Sequence, residues 1–246
     1  MVFWIILPIT LFLVSFIGTW SVYGLALSNN HVCPLSDWSG ATRCRENATQ
    51  SCCFTPTISS SGMFAPESSL FSATLNAGSF LFLLFCIFHH AHVLEKQTCH
   101  SMLSKFALAF GVVSAFGSFA AGNCNAGTLT LLHFLGAGVS FVCVSFYAVL
   151  LTELTRKCDL TGHEKVLYPL RFISTVIQIF ATIFYAFFYI QNNSFYNQLS
   201  AVFEWMLTMN MELFELSYIV EFSFFSSFML SNLLSRREEE KPLMMT

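Results

Sequence analysis

Residues 70–93 read LFSATLNAGSFLFLLFCIFHHAHV, with no Asp, Glu, Lys or Arg among them. At 1.5 Å per residue a helix of that length reaches about 36 Å, enough to cross the roughly 30 Å hydrocarbon core of a bilayer. Five more stretches of the same character lie on either side, at about 2–27, 103–121, 129–154, 167–190 and 199–230. Lipid offers a backbone no hydrogen-bond partners, and the alternating pattern of a membrane barrel is absent, so these stretches are expected to be helices. The expected fold is all-α: a polytopic six-helix transmembrane bundle formed by the whole chain, 1–246, with a first outer loop at about 28–69 and a tail at about 235–246. A cleaved signal peptide is the alternative for the first stretch. Its apolar length exceeds the usual 7–15 residues and no Lys or Arg precedes it, which favours a retained span.

Composition agrees with this reading. The chain is 55% hydrophobic and 10% charged, with 29 Phe among 246 residues, whereas soluble domains carry about 25% charged residues. A net charge of -3 and the lack of a basic tract argue against nucleic acid as a partner.

Assigning the loops in alternation puts Lys96, Lys105, Arg156, Lys157, Lys165, Arg171, Arg236, Arg237 and Lys241 on one side and only Arg43 and Arg45 on the other. The positive-inside rule makes the richer side cytosolic, with both termini there. The two N-x-S/T sequons, at Asn47 and Asn192, then both fall outside as candidate glycosylation sites. The outer loop holds Cys33, Cys44, Cys52 and Cys53, in a compartment where disulfides persist. Bonding the neighbours Cys52 and Cys53 would strain the geometry, which leaves Cys33 joined to either of them in a disulfide-braced loop. A zinc site is the sharper alternative, but the spacing is not C-x-x-C and only His31 is near. Cys86, Cys99, Cys143 and Cys158 lie in membrane or cytosol and are expected to be reduced.

The last stretch carries Glu204, Glu212, Glu215 and Glu221. At 100° per residue Glu204 and Glu215 project within about 20° of each other and Glu212 about 60° further round, so three share an inward face. Intramembrane carboxylates are costly and mark either a cation or proton path or groups neutralised within the bundle. A path would recruit polar residues from other spans, and Asn76, His133 and Gln178 are the candidates. His89, His90 and His92 end the second stretch without a metal-binding pattern and read as interfacial, beside Glu95 and Lys96. No G-x-S-x-G, P-loop or dinucleotide fingerprint occurs, so neither a catalytic residue, a metal nor a cofactor is expected. Small residues recur in the third stretch as Ala107, Gly111, Ala115 and as Ser114, Ser118, Gly122, a helix-packing pattern that serves either the chain's own bundle or a dimer.

Other residues carry a resemblance along nearly the whole chain. They are Trp4 to Pro8, Gly18-Thr19-Trp20 with Val22-Tyr23, His31-Val32-Cys33-Pro34 with Trp38, Cys52-Cys53, and Pro66-Glu67-Ser68 through Phe71-Ser72 to Asn76. Gly122-Asn123, His133 with Gly136-Ala137-Gly138, Arg171, Glu204-Trp205 and Glu221-Phe222 complete the series. In this order the chain resembles the DRAM family of six-span proteins, and within it is most similar to the transmembrane protein 150 group and its A branch. It departs from the family pattern at Ala65-Pro66, at Cys124-Asn125 and in the heavier Glu content of the last stretch. The resemblance implies non-enzymatic work: regulation of phosphatidylinositol 4-kinase recruitment and phosphoinositide supply at the plasma membrane. Its alternatives are autophagy modulation, with an endolysosomal address, and a cation channel or channel subunit using the last span's carboxylates. The partners it implies are membrane lipids and a cytosolic protein, the phosphatidylinositol 4-kinase complex. The contact surface is expected on the cytosolic loop, where Arg156, Lys157, Lys165 and Arg171 stand against Asp159 and Glu164, and on the tail from Ser235.

Overall fold

A computed structural model describes residues 3–38, 54–96, 101–191 and 193–225. Asn47, Asn192, Cys44, Cys52, Cys53, Cys99 and the tail lie outside the described residues. A 3-10 turn at Phe3–Ile5 leads into α1 (Ile6–Ser28), followed by α2 (Ile58–Ser61), α3 (Glu67–Glu95), α4 (Ser101–Asn123), α5 (Thr130–Lys157), α6 (Glu164–Ile190), α7 (Ser194–Leu216) and α8 (Ile219–Ser223). Five of these, α1, α3, α4, α5 and α6, are long and apolar enough to cross a membrane. The chain is a multipass membrane protein.

The sixth expected helix, over 199–230, is divided. Helix α7 ends at Leu216, Ser217 and Tyr218 turn, and α8 begins at Ile219. At the break Arg171 donates from Nη2 to the Ser217 carbonyl at 3.0 Å, the acceptor a continuing helix would offer to Glu221 N, and from Nε to the Ser217 hydroxyl at 3.0 Å. Helix α7 also carries Glu204, Glu212, Glu215 and Asn210, and it is not among the five apolar spans.

The long helices form a closed ring. Helices adjacent in sequence pack together from α3 to α7, α1 packs on α3, and α1 against α7 closes the circle. Outward faces carry bulk such as Phe80, Phe116 and Ile183, each more than half exposed, as lipid contact allows. At the α4–α5 seam backbone packs directly on backbone. A Cβ on Gly117 would lie 2.7 Å from the Gly136 carbonyl oxygen and 2.8 Å from Ser140 N, and a Cβ on Gly136 would lie 2.8 Å from the Gly117 carbonyl oxygen. Ala107, Ala115 and Ser114 of the small-residue pattern are buried, and Ser114 donates to the Ser140 carbonyl at 3.1 Å. The small residues therefore serve the chain's own bundle.

Trp4 stands at one end of the ring, against Phe88 and Phe225. Trp20 and Trp205 stand at the other, with ring centroids 4.7 Å apart. The sixteen steps from Trp4 to Trp20 correspond to about 24 Å of helix, somewhat less than the roughly 30 Å hydrocarbon core.

The segment between α1 and α3 is sewn onto the Trp20 end, called here the loop end. Val32 and Phe54 form a parallel bridge, the Trp205 indole donates to the Pro56 carbonyl at 2.9 Å, and Gln198 donates to the Leu35 carbonyl at 3.1 Å. Asn29 Nδ2 donates to Glu67 Oε1 at 2.6 Å, and His31 Nδ1 lies 3.0 Å from the same oxygen. Cys33 is disulfide-bonded. Cys158, at the opposite end and read from sequence as a reduced thiol, is disulfide-bonded as well.

Candidate functional site

The ring lines a partly open cavity of about 170 Å³. The inward register of α7 supplies Glu204, Glu212 and Glu215; α5 supplies His133, α6 Gln178 and α3 Ser79. The remaining wall is largely apolar, built from Leu11, Phe82, Val144, Leu207 and Met211.

At the loop end the cavity is bounded by three groups in a line. Glu204 accepts from Ile58 N at 3.2 Å, Ser59 Oγ stands 3.2 Å from its other oxygen, and Ser59 Oγ is 2.9 Å from His133 Nε2. His133 Nδ1 faces two carbonyl oxygens, of Ala121 at 2.9 Å and Cys124 at 2.8 Å, so this nitrogen carries a proton. Ser59 has one hydroxyl proton to give. It reaches Glu204 Oε1 on one side and His133 Nε2 on the other, so the serine hydroxyl joins acid and histidine in one hydrogen-bonded line. Ser59 also lines a second recess, of about 400 Å³, on the outer side of this boundary, walled by Phe54, Phe134, Tyr185 and Tyr189.

Deeper in, Glu212 is 4% exposed and neither of its oxygens has a hydrogen-bond partner. Gln178 is fully buried; its Oε1 accepts from Asn210 Nδ2 at 2.9 Å, while its Nε2 has no partner. Ser79 Oγ is likewise unpartnered. Between this region and the far end lies a layer of Phe85, Tyr147, Tyr218 and Phe222, each no more than 1% exposed. Beyond it sits Arg171, fully buried and with all five N–H donors in use. Nη1 donates to Glu221 Oε1 and to Thr155 Oγ1 at 2.8 Å, Nη2 to Glu221 Oε2 at 2.6 Å and the Ser217 carbonyl, and Nε to Ser217 Oγ. The guanidinium also stacks over the Tyr218 ring at 3.6 Å. This clamp ties α5, α6 and α8 together.

The model of the Frag1/DRAM/Sfk1/Cwh43P N-terminal domain family matches residues 3–225. The chain belongs to this family. It is similar to Transmembrane protein 150A of Xenopus laevis, at 31% identity over 227 residues, which covers 89% of this chain and 83% of that protein. The Homo sapiens Transmembrane protein 150A is also 31% identical, over 232 residues, covering 91% and 85%. A Xenopus laevis protein named Modulator of macroautophagy TMEM150B-A is 29% identical over 219 residues, covering 89% and 86%. No solved structure matches.

In this Frag1/DRAM chain the residues picked out from sequence divide among three places. Glu204, Glu212, Glu215, His133 and Gln178 meet at the cavity. Asn76 does not join them: it exchanges two amide hydrogen bonds with Asn123, at 2.6 and 3.2 Å, fastening α3 to α4. Glu221 belongs to the Arg171 clamp, so Arg171 is withdrawn from the surface on which its charge was counted. His89 and His92 are buried rather than interfacial, His92 stacked on Phe225 at 4.4 Å, while His90 meets Ser104 at 2.7 Å. No group of three or more His, Cys, Asp or Glu able to hold a metal occurs among the described residues. Ser59 went unread, because a serine in a polar loop carries no local sign that it reaches a histidine 74 positions on.

Proposed function

We propose that the chain works without catalysis of its own, as a six-crossing membrane partner that keeps a phosphatidylinositol 4-kinase complex at the plasma membrane and so sustains phosphoinositide supply. The observation that carries this reading is the likeness to Transmembrane protein 150A, which runs through about nine-tenths of the chain. In the proposed topology α7 and α8 make the sixth crossing and both termini are cytosolic. The contact surface is the α5–α6 turn with its flanking helix ends. Glu164 folds that turn by accepting from Leu160 N at 2.8 Å and Thr161 N at 2.7 Å, and Glu153 pairs with Arg156 and Lys157. What remains for a partner is a small polar surface around Arg156, Lys157, His163 and Lys165, too weakly basic for lipid capture on its own.

The layer of Phe85, Tyr147, Tyr218 and Phe222 supports a partner role over conduction, because it separates the carboxylate cavity from the Arg171 end with packed side chains. The decisive experiment removes the protein from cells and measures kinase recruitment and plasma-membrane phosphoinositide recovery after depletion, then restores the wild type or a chain in which the exposed Arg156, Lys157, His163 and Lys165 are all replaced by Ala. Slower recovery, rescued by the wild type only, is expected. Unchanged recruitment and recovery would overturn the reading. Autophagy modulation would then take first place, favoured by the similarity to the protein named Modulator of macroautophagy TMEM150B-A.

A further inference from the structure

We infer that the central cavity is a binding site for a small organic ammonium ion, with Glu212 and Glu215 as its counter-charges and the apolar wall of α1, α3 and α5 around its hydrocarbon part. Every side chain with a formal charge that lines the cavity is a carboxylate, and no Lys or Arg lines it. Arg171 cannot serve, because its five donors are spent beyond the aromatic layer. His133 cannot serve either, since both ring nitrogens are engaged, Nδ1 on two carbonyls and Nε2 on Ser59. Glu212 is a buried carboxyl group, and neither of its oxygens has a partner. A buried polar group left unpaired is costly, and a cationic donor is the partner that satisfies charge and hydrogen bonding together.

The second sign of a ligand is independent of the acids. Gln178 is oriented by Asn210, which occupies its oxygen, so that its NH2 is left unpartnered in the same wall, as is Ser79 Oγ. These two groups suit an acceptor on the ligand, such as a hydroxyl. A bare alkali ion is less favoured, because it would leave the large hydrocarbon part of the wall, Leu11, Phe82, Val144, Leu207 and Met211, without a partner. The volume of about 170 Å³ resembles that of an apolar protein cavity of about 150 Å³ that accommodates benzene, so six or seven heavy atoms is the expected size. The recess on the other side of Ser59 is walled by four aromatic rings, a surface that attracts organic cations.

Cyclohexylammonium is the probe and cyclohexanol its uncharged counterpart. The full chain, purified in detergent, is titrated with each by calorimetry and melted with and without each. Saturable binding and a raised Tm with cyclohexylammonium, and neither with cyclohexanol, are expected. Glu212→Gln should weaken the ammonium at least tenfold, and Met211→Trp, which fills the space without altering charge, should abolish binding; Glu153→Gln, at a surface pair, should leave it unchanged. If the cavity variants do not fold, the comparison of the two probes on wild type decides alone. Equal binding of cyclohexanol, equal stabilisation by sodium or potassium chloride, or no binding of cyclohexylammonium would each overturn the proposal. None of these outcomes bears on kinase recruitment, which is measured separately.

Discussion

Arg171 shows how one side chain can hold a membrane bundle together. Its guanidinium is fully buried, bidentate on Glu221, and it reaches Thr155 and Ser217 besides. Removing one partner of such a pair leaves an uncompensated charge and costs about 3–5 kcal/mol, whereas replacing both by apolar side chains can be nearly neutral. Arg171→Met and Glu221→Met should each lower the melting temperature sharply in detergent, and the double variant should recover much of the loss; a double variant as unstable as the sum of the singles would contradict the pairing. At the other end, Ser59→Ala removes the hydroxyl between Glu204 and His133 and should cost about 1–3 kcal/mol in the same assay, since both neighbours are buried. Neither contact is visible in sequence. Periodicity puts Glu204, Glu212 and Glu215 on one face because that relation lies within a single helix, but Arg171 and Glu221 are 50 positions apart and a charge count assigns Arg171 to a surface loop.

The helices themselves differ in how much their composition reveals. For 70–93 a run of apolar residues suffices, and α3 covers it as Glu67–Glu95. The last stretch is harder, because four Glu and Asn210 dilute its hydropathy and the turn at Ser217 is bonded to an arginine from another helix. Helix pairing is harder still, since lipid and leucine are equally apolar and only close approach favours one neighbour over another. Gly117 tests this point. Any Cβ there meets backbone atoms of Gly136 and Ser140, which cannot rotate away. Gly117→Val should separate α4 from α5 and destabilise the protein by about 1–3 kcal/mol or more, read as early loss of the monodisperse peak on heating. A stable, monodisperse Gly117→Val protein would mean that the seam is looser than drawn.

For the whole molecule the charge bias and the two sequons are the grounds for the proposal that both termini are cytosolic. Glycosidase treatment should increase gel mobility, with Asn47→Gln and Asn192→Gln each removing part of the change; a terminal tag stained on intact cells would invert the assignment. The ring closes only when α7 meets α1, and the loop-end segment is held by residues encoded far downstream: Ile58 and Ser59 by Glu204, Pro56 by Trp205, and Leu35 by Gln198. A ribosome delivers the chain from its N-terminus. The first loop therefore emerges well before the helix that anchors it, and must wait through four intervening spans, α3 to α6, for those contacts. During biosynthesis that interval exposes the loop to folding enzymes and gives quality control a late checkpoint. Chains truncated before Ser194 should reach the membrane yet be retained and degraded, however well their first five spans insert.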